Sequence, residues 1–204
     1  PDTSPTINMS LRENHTDQEQ KFFSEISNYW ESSSGTVADK LYSFGRFTPR
    51  QAIATFLARE RIFQKIRNVH GHIVECGVFR GAGLFSWSHL SSIFEPYNHV
   101  RRIVGFDSFA GFPNITDEDG ANDLPYKHSG GLAVDVEQEI RDAINLHDLN
   151  RPLGHLSRNE IVVGDALETI PKYVEDNKHL VVALLYLDFD LYEPTRIAIE
   201  TFWP

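Results

Sequence analysis

The sequence predicts an α/β fold built on a doubly wound parallel sheet, and three observations carry that expectation. From residue 72 onward, strand-like apolar runs alternate with helical patterns, which is the order that builds βαβ units. Two of the runs, Ile73–Val78 and Leu180–Leu187, are nearly continuous in apolar residues, as strands covered on both faces should be. The first run ends in a glycine turn, Gly77-x-x-x-Gly81-x-Gly83, and a helical segment follows it.

The elements follow in chain order. Residues 1–16 are polar and read as a mobile leader. Gln18–Trp30 places Phe22, Phe23, Ile26 and Trp30 at helical spacing, and Glu31–Thr36 is a Ser/Gly-rich loop. A stronger helix runs from Thr48 to about Val69, with Thr48 as its cap and Pro49 in its first turn. Its apolar residues Ile53, Phe56, Leu57, Ile62, Phe63 and Ile66 recur on one face. Then come strand 72–78, helix 83–93, strand 101–107, loop 110–133, helix 134–147, strand 160–164, helix 167–176 and strand 179–188. The expected division is a helical leader over 1–46 and one ligand-binding domain over 47–204.

The glycine turn holds an acid, Glu75, two residues before its first glycine. A turn that binds pyrophosphate aims backbone N–H groups at an anion, and a carboxylate at its mouth would repel the phosphates. The same carboxylate attracts a ligand with ammonium or sulfonium charge. S-adenosylmethionine carries both and has no phosphate. The glycine order also differs from the G-x-G-x-x-G of dinucleotide sites. The structural reading of the same segment is a tight strand–helix turn.

Open parallel sheets bind ligands beyond the carboxyl ends of their strands, where strand order reverses. Four candidates fall at such ends. They are Gly77, Asp107 after Arg-Arg-Ile-Val-Gly-Phe, Asp165 after Ile-Val-Val-Gly, and Asp188 after Leu-Leu-Tyr-Leu. Asp107 lies 24 residues beyond Gly83 and suits the two hydroxyls of a ribose. Asp165 suits an exocyclic adenine amine, or a plain helix N-cap. Asp188 and Asp190 are two apart and share a face while the strand lasts. One could hold a hard cation such as Mg²⁺ and the other act as general base. Asp190 with Glu193 also has capping-box spacing, and Pro194 suits a helix start.

Composition excludes several classes. The formal charge of −10 argues against nucleic acid or anionic lipid as partner. No apolar run is long enough to span a bilayer. The single cysteine, Cys76, allows no intrachain disulfide and fits a reducing, cytoplasmic setting. It reads as strand filler within the motif. The histidines form no HExxH-type pattern; His70 and His72 look structural, and His128 reads as a surface residue or as an acceptor-site base. The acidic, Gly/Pro-rich segment Gly111–Gly131, with Asp117, Glu118, Asp119 and Asp123, reads as a lid over an acceptor or as a solvated loop. Phe22, Phe23, Tyr29 and Trp30 read as packing of the leader helix, or as the cover of a substrate pocket or a dimer contact.

Three blocks, Ile73–Gly83 (IVECGVFRGAG), Gly105–Pro113 (GFDSFAGFP) and Leu187–Thr195 (LDFDLYEPT), with weaker support from Gly164–Pro171 (GDALETIP), resemble the macrocin O-methyltransferase family. This is a branch of the class I S-adenosylmethionine-dependent methyltransferases. The resemblance runs from about Phe47 to the end. It implies a Rossmann-like methyltransferase fold, S-adenosylmethionine as methyl donor, Mg²⁺, and a small-molecule acceptor with a hydroxyl group, commonly a sugar in natural-product biosynthesis. It assigns the cofactor to Thr48, Glu75, Cys76, Gly77, Val78, Gly81, Gly83, Asp107, Ser108, Gly164, Asp165 and Ala166. Asp188 matches a metal ligand and Asp190 the base. The family has further strands, and a later pair of aspartates, after the Leu-Tyr-Glu-Pro-Thr helix, so the resemblance also implies that this chain lacks the last strands. Two other readings stay open: a nicotinamide-dependent oxidoreductase on the same fold, and a non-catalytic partner subunit. A homo-oligomer is compatible with all of them.

Overall fold

The apolar run beginning at His72 forms the central strand of the sheet because both of its faces have something to cover them. The computed structural model describes residues 16–113, 115–120 and 128–203. The expected mobile leader up to residue 15, and Asp123 of the acidic segment, lie outside the described residues.

The sheet is four-stranded and fully parallel, in the order β3-β2-β1-β4. Its strands are β1 (His72–Cys76), β2 (Ile103–Asp107), β3 (Asn159–Val163) and β4 (Val182–Leu187). The chain steps outward from β1 to β3 and then returns to the other side of β1. The β1/β4 boundary is therefore the point where strand order reverses. In register, Glu75 lies between Gly105 of β2 and Tyr186 of β4.

Helices cover both faces. Successive side chains alternate across a strand, so β1 and β2 each supply two layers. Val74, Cys76, Val104 and Phe106 cluster with Ala166 and Ile170 of α6 (Ala166–Asp176) and with Ala198 of α7 (Tyr192–Phe202). Gly105 belongs to the other layer, where a side chain at that position would meet Leu84 of α4 (Ala82–Phe94) and Val78. Trp87 of α4 packs edge-on to Tyr186 at 5.4 Å. Trp87, Leu84, Leu90, Phe63, Ile73 and Ile103 are among the largest fully buried side chains. Each contributes about 1.5–3 kcal/mol by leaving water. α5 (Glu137–Asp148) buries Ile140 and Ile144.

The remaining helices lie toward the start of the chain: α1 (Asp17–Ser32), α2 (Val37–Tyr42) and α3 (Arg50–Ile66). Two compact units divide the chain between Leu57 and Ala58, inside α3. In the first, Tyr29 and Trp30 of α1 hold their rings 5.5 and 4.8 Å from Phe47, and Thr36 and Asp39 close a capping box on α2. The sequence reading passed over this short helix because its Ser/Gly-rich approach masked the Thr-x-x-Asp signal.

Two expectations need correction. Leu180–Leu187 was expected to be buried on both faces, but every residue of β4 is only half-buried, and among the described residues β4 pairs on one side only, with β1. The N-cap of α7 is Leu191, with no side-chain cap bond of its own. The Tyr192 N–H instead donates to Asp119 Oδ1 at 2.6 Å, so the capping role expected of Asp190 falls to the acidic loop.

Candidate functional site

At Gly77 the chain turns with φ +95°, and a Cβ there would run into the backbone carbonyl of Asp188. The Asp188 N–H donates to the Cys76 carbonyl at 2.7 Å. The glycine thus lets the end of β1 lie directly against the end of β4, at the reversal point.

The next two N–H groups of the turn have a fixed partner. Val78 and Phe79 donate to Asp107 Oδ2 at 2.8 and 2.7 Å, while Phe109 donates to Oδ1 at 2.7 Å. Phe79 and Phe109 both adopt left-handed backbone, at φ 50° and 54°, an uncommon state for bulky residues that clusters at ligand sites. Asp107 therefore braces the turn and still has acceptor capacity, since an ionised carboxylate offers about four lone-pair sites. A turn whose N–H pair already faces a carboxylate is poorly placed to take a pyrophosphate. The Asp107 carbonyl also accepts from Gly164 N–H at 3.0 Å, which joins the ends of β2 and β3.

Glu75 sits beneath this turn and is 1 % exposed. A Cβ on Gly83 would overlap its Oε1, so Gly83 makes room for the carboxylate at the start of α4. Burial pushes the Glu75 carboxyl up to about 8, against the opposing pull of Arg59, while Asp188 and Asp107 raise it further. Its Oε2 is buried without a hydrogen-bond partner among the described residues, as are Arg59 Nε and Trp87 Nε1. The Arg59 guanidinium lies 5.5 Å from the Tyr186 ring and 6.0 Å from the Trp87 ring. These three residues were not picked out from the sequence. The signal was there: Arg59 precedes Phe63 and Ile66 on the buried stripe of α3, where a charge is out of place.

Asp188 and Asp190 follow β4. Asp188 is reached by solvent, yet partial desolvation raises its pKa, helped by Asp190 and opposed by Arg59. Asp190 is left-handed, at φ 57°. Among the described residues no three His, Cys, Asp or Glu side chains converge as a metal set. The two carboxylates are hard oxygen donors of the kind Mg²⁺ takes, and their mutual repulsion would be relieved by a cation. They supply part of a shell.

The other candidates distribute as follows. Gly81 is the left-handed N-cap of α4, at φ 85°. Ser108 Oγ donates to the Gly111 carbonyl at 3.0 Å. Asp165 caps α6 by accepting from Leu167 N–H at 2.9 Å, and Ala166 is buried against the sheet. The Cys76 side chain is withdrawn to the α6–α7 face, where burial, with Glu75 nearby, pushes its thiol far above the ordinary value. Thr48 belongs to the first compact unit. The acidic loop is pinned at its base, with Phe112 N–H donating to the Gly131 carbonyl at 3.0 Å and Val134 N–H to Phe109 at 3.0 Å. His128 is exposed, and the His72 Nδ1 accepts from Arg102 N–H at 3.0 Å.

A doubly wound parallel sheet with Glu75, Asp107 and Asp188 on or just after neighbouring strands defines a Rossmann-like ligand-binding fold. Comparison with known proteins narrows this. Residues 47–204 match the family described as Macrocin-O-methyltransferase (TylF), and the chain belongs to that family. A curated relative from Streptomyces olivaceus, 8-demethyl-8-(2,3-dimethoxy-alpha-L-rhamnosyl)-tetracenomycin-C 4'-O-methyltransferase, is 28% identical over 144 residues, covering 67% of this chain and 49% of the relative. The chain thus spans about half the length of that relative. Among solved structures, the calicheamicin methyltransferase CalS11 superposes with a TM-score of 0.87 at 31% identity, over 92% of this chain and 73% of the other. An apo form, described as the TDP-rhamnose 3'-O-methyltransferase of calicheamicin biosynthesis, gives 0.77 at 28%, over 93% and 74%. The O-methyltransferase NovP, at 23% identity and a TM-score of 0.56 over 78% and 61%, shares the fold. Among the described residues no helix is long and apolar enough to cross a membrane.

Proposed function

We propose that this protein transfers the methyl group of S-adenosylmethionine to a hydroxyl of a sugar, either free as a nucleotide sugar or attached to a natural product. The observation that carries the reading is the Asp107-braced turn over a buried, unpartnered Glu75 at the reversal point of the sheet. That pairing disfavours a phosphate and favours a nucleoside with a cationic tail. The relatives that act on rhamnose-bearing molecules support the sugar acceptor.

In this reading Asp107 receives the ribose hydroxyls, Glu75 faces the ammonium and sulfonium charges, and the ends of β3 and α6, at Gly164–Ala166, flank the adenine. S-adenosylmethionine supplies an already activated methyl group, and Mg²⁺, held in part by Asp188, would add positive charge beside the acceptor oxygen. The protein's task is then alignment. Asp190 accepts the hydroxyl proton as that oxygen becomes nucleophilic. The reading places the enzyme in the cytoplasm, acting on a small molecule.

The test is a calorimetric titration with S-adenosylhomocysteine, with Asp107→Ala as control, followed by methylation of TDP-rhamnose and of a rhamnosylated polyketide with and without Mg²⁺. Saturable binding that the control loses, with methyl transfer to either acceptor, is the expected result. A folded protein that does not bind the nucleoside would overturn the reading. An Asp188→Asn protein that methylates at the full rate without added Mg²⁺ would remove the metal role alone.

A further inference from the structure

We infer that Arg59 is the binding residue for the α-carboxylate of the cofactor's methionine moiety. The inference rests on the proposed function and assigns a second half to the subsite below the glycine turn.

Arg59 is 8 % exposed, and its Nε has no hydrogen-bond partner among the described residues. A guanidinium is costly to bury unless its charge is paired and its donors are used. Here no carboxylate among the described residues closes an ion pair with it, although Glu75 and Asp188 both feel its charge. What holds it is aromatic: Tyr186 from β4 at 5.5 Å and Trp87 from α4 at 6.0 Å. Cation–π contact fixes the guanidinium without consuming its N–H groups. Trp87 adds a second buried donor without a partner, Nε1. Glu75 Oε2 is a buried acceptor without a partner among the described residues, and Glu75 and Tyr186 are direct register neighbours.

Around Tyr186 the protein therefore holds unused donors, Arg59 Nε and Trp87 Nε1, and, in the register neighbour Glu75, an unused acceptor. A free amino acid end has the complementary pair, a carboxylate that accepts and an ammonium that donates. Arg is suited to the carboxylate because its planar fork can give two parallel N–H bonds.

The test compares S-adenosylmethionine with its decarboxylated analogue, which keeps the nucleoside, the sulfonium and the ammonium and lacks only the carboxylate. Both are titrated into the wild-type chain, Arg59→Lys and Arg59→Gln, with circular dichroism to confirm folding. Wild type should prefer the intact cofactor by about 10–100-fold, the range for hydrogen bonds to a charged partner. Arg59→Gln should lose that preference while still binding the analogue, and Arg59→Lys should keep part of it. A wild-type protein that binds both ligands equally overturns the inference without any variant. So does an Arg59→Gln protein that weakens both ligands alike, or one that retains the full preference. Failure of the wild type to bind either ligand overturns the proposed function, and this inference with it. Binding of both, abolished by Asp107→Ala, leaves the function standing whatever Arg59 does.

Discussion

Glu75 concentrates the chemistry of the site in one side chain. Burial holds its carboxyl near 8, so the unliganded protein carries a proton there at neutral pH. A carboxyl whose folded value exceeds its ordinary 4.5 binds more protons folded than unfolded, and stability without ligand falls as pH rises from about 4.5 to about 8. A cationic ligand beside it reverses the preference and expels the proton. Cofactor affinity should therefore rise with pH, by up to about tenfold per unit, and level off above 8. Titrations in buffers of different ionisation enthalpy would report the released proton, and pH-independent affinity would disprove the contact. Gly83 tests the same carboxylate from the other side. Gly83→Ala places a methyl on Glu75 Oε1 and should cost about 1–3 kcal/mol as overpacking. In a Glu75→Ala background the overlap disappears, so the same change should become neutral or favourable by up to about 1 kcal/mol through helix propensity. Equal effects in both backgrounds, read from urea denaturation midpoints, would remove the steric account.

Among the elements, the strand ends are shaped by what joins them. Arg101, 3 % exposed, donates to the carbonyls of Ile66 and Val69 at the end of α3, to Gly71 before β1, and to Glu95 at the end of α4. One side chain thus fastens the last turn of α3, the entry to β1 and the exit of α4. Arg101→Ala would take the cation from Glu95, which keeps Ser91 and Asn98 as donors, and its N–H groups from the Val69 and Gly71 carbonyls, and should cost about 3–5 kcal/mol. A denaturation midpoint within error of wild type would show that these bonds carry little. Apart from α2, the helices and strands are legible in the sequence to within a few residues because apolar spacing is local. The sequence did not foresee that α7 is capped from Asp119, 73 positions earlier in the chain; no local pattern encodes a bond between residues so far apart.

Over the whole molecule, the parallel sheet sets the order of stability. β1 is paired on both sides and β4 on one, and β1 is almost wholly buried where β4 is half-exposed. Amide exchange should be slowest in β1 and β2 and faster in β4, since local opening follows burial and pairing. Equal protection in β1 and β4 would contradict this ranking.

By itself the sequence determined the doubly wound fold, the glycine turn, and the carboxylates at the strand ends, Glu75, Asp107, Asp165, Asp188 and Asp190. Each follows from a local period or a short motif next to a strand. Only the tertiary structure decided what those carboxylates do to one another. It turned Asp107 into the brace of the glycine turn, gave Asp165 to the start of α6, and withdrew the Cys76 side chain to the opposite face. It also brought Arg59 from α3 against the rings of Tyr186 and Trp87. Those outcomes depend on strand order and on which face each residue takes, and both are fixed when distant segments pack together and bury their charges in one place.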